Sequence, residues 1–189
     1  MNITPEEAQA ALHDIQQARA TACSILRFFA YDMLLWGGVW TVGFLASQFQ
    51  PQLIIWIWVV MVTIGVVGSA IIGSVQGRRV RATPGSHSAF VGSRLGIFYG
   101  TLYGFAILWL TIFPLTSLQI GMLWITVVMF SFIISGVWLR QSTSIGLGVG
   151  ITLMSVLGYY LVPHYFWLWS AVFAGLPLFG TGMYLLRKR

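Results

Sequence analysis

Few residues in this sequence are equipped for chemistry. Asp32 is the single carboxylate within an apolar stretch; Glu6, Glu7 and Asp14 all lie ahead of the first such stretch. An acid inside a bilayer is costly and marks either an ion or proton path or a locally paired charge. Two cations can answer it: Arg27, five residues earlier, and Arg94, which the apolar pattern places at similar depth on the third segment. A structural ion pair among Asp32, Arg94 and Arg27 is the reading preferred here, and a proton or cation site the competing one. No second acid, histidine or lysine lies deeper in any apolar stretch, so a relay across the membrane has no next station.

The remaining chemistry-bearing residues do not converge. His13 and His87 are far apart in sequence, and His164 falls on the opposite side of the expected membrane. A zinc site needs several His or Cys ligands at once, and Cys23 is the only cysteine. A lone thiol forms no intramolecular disulfide and fits a reducing, cytoplasmic side. A serine or cysteine nucleophile needs a base beside it, and no histidine lies in an apolar segment. Arg78, Arg79 and Arg81 sit in the stretch Gly77–Val91, read as the one long loop, without the glycine-rich turn and lysine of a phosphate site. The expectation is a protein with no cofactor, no metal, no nucleic-acid partner and no enzymatic activity.

The elements that must position these residues follow from composition. Of 189 residues, 58% are hydrophobic and 7% charged, against about 25% charged in a soluble domain. Mean hydropathy is +0.84. The fold expected is all-α and polytopic, because a crossing takes about 20 mostly apolar residues. Six such spans are read near Phe28–Gln48, Leu53–Val75, Gly92–Phe113, Leu118–Leu139, Ile145–Leu161 and Tyr165–Leu186. Pro51, Pro114 and Pro163 each follow an odd-numbered span, where the helical ladder has already ended. The spans therefore read as three αα-hairpins. Residues 1–27 form a preceding amphipathic helix, and residues 28–189 the membrane domain.

All ten Lys and Arg residues fall on one side of this layout, and none in the three proline turns. By the positive-inside rule both termini are cytoplasmic. The acidic start shows no cleavable signal, so the first span is expected to be retained. Trp56, Trp58, Trp109, Trp167, Trp169, Tyr159, Tyr160 and Tyr165 read as an aromatic belt at the outer interface. Thr4-Pro5-Glu6-Glu7 is a capping-box helix start. The amphipathic helix behind it carries three acids against one arginine, unlike a helix that lies on anionic lipid. It is expected to pack on the protein's own loops or to dock a cytoplasmic partner.

Small residues recur every fourth position on two spans: Gly92, Gly96, Gly100 and Gly104 on the third, and Gly65, Ser69, Gly73 and Gly77 on the second. Such stripes, of glycine-zipper type, let helix backbones approach closely where lipid supplies no hydrophobic drive. Packing within the chain is the first reading, a homo-oligomer contact the second and a small-residue pore the third.

The three-hairpin layout with a proline at each outer turn resembles the small acid-resistance inner-membrane proteins of bacteria. The segment Tyr31–Phe49, YDMLLWGGVWTVGFLASQF, with the preceding AQAALHDIQQAR of Ala8–Arg19, is also similar to small bacterial six-span proteins. The resemblance implies a multi-pass protein of the bacterial inner membrane and brings no site residues with it. The function expected is that of a non-catalytic scaffold or subunit of a membrane assembly, in contact with the lipid bilayer and with itself or another membrane subunit. The alternative is a channel or carrier for a small neutral or apolar solute.

Overall fold

The structure is a computed structural model. It describes residues 5–80, 87–138 and 140–187, with side chains described for Gln9, Leu12 and residues 27–75, 96–138 and 140–187. All of its regular elements are helices: α1 (Pro5–Phe49), α2 (Ile54–Val80), α3 (His87–Ile112), α4 (Ser117–Trp138), α5 (Ser142–Leu161), α6 (Phe166–Ser170) and α7 (Leu176–Arg187). Five stretches are long and apolar enough to cross a membrane: Arg27–Phe49, Pro51–Val75, Ser117–Trp138, Ser142–Leu161 and Pro163–Arg187. The apolar part of α3, Gly96–Ile112, is shorter.

No Gly or Pro interrupts the sequence from Glu6 to Trp36, and α1 runs unbroken from the amphipathic segment into the first apolar stretch. The Thr4 hydroxyl, like Cys23 and the acidic face, lies outside the described side chains. Pro51 and Pro163 each open a short 3-10 turn, Pro51–Leu53 and Pro163–Tyr165, where a missing N–H costs nothing. The stretch read as one long loop is largely helical: α2 continues to Val80 and α3 begins at His87. Its central residues, 81–86, lie outside the described ones. Polar and charged residues do not by themselves end a helix, and the strong breakers of this stretch, Pro84 and Gly85, lie between the two helices in sequence.

α6, a π-helical stretch at Ala171–Gly175, and α7 form one continuous final helix. The wide turn stands just before Pro177, whose ring excludes the regular hydrogen bond. α4 ends in a Schellman turn: Gln141 N–H donates to Gly136 O at 2.8 Å, Arg140 N–H donates to Val137 O at 3.3 Å, and Arg140 takes φ 52°.

The core lies between α1, α4, α5 and the final helix. Phe44, Met129, Ile125, Phe166, Ala174 and Leu178 are buried there. Phe44 is its aromatic centre, with ring centroids 5.6 Å from Trp40, 4.9 Å from Trp58 and 6.0 Å from Trp167. Trp167 is therefore core and not belt, because the start of α6 turns it inward over Gly121. Trp56, Trp109, Tyr160 and Tyr165 are exposed, as a belt requires.

Glycine sets the closest helix approaches. A Cβ on Gly37 would strike the Phe179 backbone, and one on Gly175 the Thr41 backbone. At Gly182 it would meet Ala30 O at 2.8 Å. These three positions seat the final helix against α1. On the other side, a Cβ on Gly148 of α5 would lie 2.8 Å from Met129 O, and Ser131, Ser135, Ser144 and Ser155 are buried along the α4 and α5 faces. Lipid supplies no hydrophobic drive between helices, so such small-residue contacts carry the association. α2 leans on α1, and α3 on α4, while α2 and α3 make no extensive contact with each other among the described residues.

Candidate functional site

Asp32 projects from α1 toward α2. Its Oδ1 accepts a hydrogen bond from the Ser69 hydroxyl of α2 at 2.5 Å. Ser69 Oγ in turn accepts one from Trp36 Nε1 at 2.9 Å. The Trp36 donor leaves Ser69 only its own proton to give, which it directs at the carboxylate. Trp36 reaches Ser69 because Gly65 is beside it: a Cβ there would lie 2.7 Å from the indole ring. The α2 stripe Gly65, Ser69, Gly73 thus packs on α1, with Phe28 3.6 Å from the Cβ position at Gly73. Gly77 lies outside the described side chains.

The facing wall comes from α3 and α4. Tyr103 interacts with the Ser131 side chain and lies within the field of the Asp32 carboxylate. One turn away, the Tyr99 hydroxyl and Ser135 Oγ are hydrogen bonded at 3.0 Å. Tyr99 and Tyr103 stack with centroids 6.0 Å apart, and Trp124 lies 6.1 Å beyond Tyr103. The structure thus places a chain of Trp36, Ser69 and the Asp32 carboxylate on α1 and α2, and a cluster of Tyr99, Tyr103, Trp124 and Ser135 on α3 and α4.

The cations expected to answer Asp32 are placed differently. Arg27 is exposed and is not among the groups acting on the carboxylate. Residues five apart on a helix point some 140° away from each other, so the two side chains leave α1 on different faces. Arg94 lies on α3, and its side chain is outside the described ones. The partner found instead, Ser69, was read only as a small packing residue. Tyr99 and Tyr103 carried a signal in the sequence, two phenols four apart on one helix face, and were not singled out there.

The α3 glycines also differ from the first expectation. At Gly96, Gly100 and Gly104 no atom of the described residues lies within 4 Å of an added Cβ, and the surroundings of Gly92 lie outside the described residues. The stripe stands about 100° round α3 from the Tyr99–Tyr103 face, one residue along. That face packs on α4, and the glycines are left open.

Near the far end of the same helix pair, Trp109, Phe113, Gln119 and Tyr159 border an open apolar depression of about 360 Å³. Gln48 ties α1 to the last proline turn, donating to His164 O at 3.1 Å and accepting from Leu168 N–H at 3.3 Å. The Ser170 hydroxyl, buried beside the π-helical stretch, has no hydrogen-bond partner. Among the described residues no group of three or more His, Cys, Asp or Glu is placed to hold a metal.

No family model matches this chain, and neither the curated proteins nor the solved structures yield a match.

Proposed function

We propose that the protein is a non-catalytic subunit of the bacterial inner membrane that associates with a second copy of itself through α3. The observation that carries this reading is the open stripe of Gly96, Gly100 and Gly104 on a helix packed along one side only. A parallel pairing about a two-fold axis along the membrane normal sets the stripe against its own copy. An interface of that symmetry needs only self-complementarity. Gly100→Leu tests it: thermal stability in detergent should be unchanged within about 0.5 kcal/mol, because a Cβ at Gly100 meets no described atom within 4 Å. In nanodiscs, light scattering should show the mass falling from two copies to one. Two copies retained in the variant, or one copy in the parent, would overturn the reading.

The same proposal takes α3 as the sixth span. Its 26 helical residues extend about 39 Å, enough for a bilayer core. Arg27 opens the apolar stretch of α1, and Arg140 and Arg187 stand at helix ends, at the other ends of their stretches from the Pro51, Pro114 and Pro163 turns, which supports a cytoplasmic location for both termini. In a Cys23→Ser background, an impermeant thiol reagent added outside intact cells should modify Gln52→Cys and spare His87→Cys. The reverse pattern means that the orientation is inverted.

A further inference from the structure

We propose that the trough along α4, between α3 and α5, holds an acyl chain of a bilayer phospholipid. This inference is independent of self-association. The trough is the open depression of about 360 Å³. It exists because α3 and α5 each pack on α4 and, among the described residues, not extensively on each other. Trp109 and Phe113, one turn apart on α3, form one wall. Their rings stack with centroids 4.9 Å and planes 15° apart, which makes a flat plate. Tyr159 of α5 stands at the other side, its ring held edge-on against the fully buried Phe166 at 6.1 Å. Met122 and Leu123 of α4 lie between them.

The polar side chains of the lining have turned their oxygens back to the chain. Gln119 Oε1 accepts from the Thr116 N–H at 2.9 Å. The Thr126 hydroxyl donates to the carbonyls of Met122 and Leu123, 2.9 Å from each. The surface left is almost wholly carbon. Such a space gives water no partners, and left empty it forfeits the dispersion contacts of its walls. A hydrocarbon chain answers both.

Position selects its source. Gln119 and Tyr159 lie within five residues of Pro114 and Pro163, so the trough opens at the proline-turn end of the spans. From Gln119 to Thr126 it runs about 10 Å along α4. A chain anchored by its headgroup at that interface enters end-on. Residues outside the described ones adjoin the helix ends remote from these turns, so none of them covers the trough. A second copy seated on the α3 glycines leaves it open as well. Trp109 is nine residues from Gly100, two and a half turns round the helix, and therefore on the opposite face.

A phosphatidylglycerol carrying a mid-chain diazirine is the probe. It is titrated into the full chain in detergent, photolysed, and its sites are mapped by peptide mass spectrometry. Labelling of Trp109 and of residues 122–126 should saturate and be displaced by unlabelled phosphatidylglycerol. At saturation it should exceed that of the exposed Val62 and Val66 of α2 at least about fivefold, a preference of about 1 kcal/mol. Met122→Trp, which fills the trough, should bring Leu123 and Thr126 down to the α2 level while the elution profile stays that of the parent. Should that variant fail to fold, Leu123→Phe fills the same space, and Trp109 is then the position read. Gly100→Leu should label as the parent does. Equal labelling of α2 and α4, or labelling that never saturates, means ordinary boundary lipid and overturns the proposal. So does undiminished labelling in a folded, filled variant. Loss of labelling in Gly100→Leu overturns it too, because the trough then forms only between copies.

Discussion

Replacing Gly175 by leucine will abolish the folded protein. At this position the final helix crosses α1 so closely that even a Cβ would collide with the Thr41 backbone. Backbone cannot rotate out of the way as the tip of a flexible side chain can. The helices must separate, and the Gly37–Phe179 and Gly182–Ala30 approaches on the same interface separate with them. The cost is several kcal/mol, on the order of the whole stability of an ordinary domain. Fluorescence-detected size exclusion of the detergent-solubilised protein is the measurement. Loss of the monodisperse peak is expected for Gly175→Leu. A normal peak and melting temperature would mean that the two helices do not cross as described.

Phe44→Ala should cost about 3–5 kcal/mol, the next largest effect. The ring is 2% exposed and touches three tryptophans from α1, α2 and α6. In a bilayer the loss is one of packing: the cavity lined by Trp40, Trp58 and Trp167 removes contacts that lipid does not replace. Phe44→Leu, which keeps most of the volume, should recover more than half of it. The pair is read from chemical unfolding in mixed micelles. Equal, small losses for both would show that Phe44 is not the centre of the core.

The elements were legible in the sequence because each rests on local chemistry. Apolar runs of bilayer length and a proline after every second one fixed where five of the long apolar stretches lie, to within a few residues. What local chemistry does not encode is which side of a helix is covered. Gly96, Gly100 and Gly104 recur at a regular four-residue spacing, yet no described residue comes within 4 Å of a Cβ placed on them. Gly37, Gly175 and Gly182 show no such repeat, and they hold α1 and the final helix together. Their partners lie at opposite ends of the chain, beyond the reach of any periodicity. The site has the same history. Asp32 stood out by its rarity, whereas Ser69 and Tyr103 became visible only once three other helices were folded around it.

Disulfide trapping at the open stripe tests the central claim most directly. In a Cys23→Ser background, Gly100→Cys and, as a control on the exposed face of α2, Val66→Cys are oxidised in native membranes. Two thiols can join only where their Cα atoms approach within about 7 Å, a distance reached across a glycine-lined parallel crossing. The account predicts a covalent dimer from Gly100→Cys and none from Val66→Cys. A Gly100→Cys protein that stays monomeric under full oxidation, with its thiol then free to react with a lipid-soluble maleimide, would contradict it.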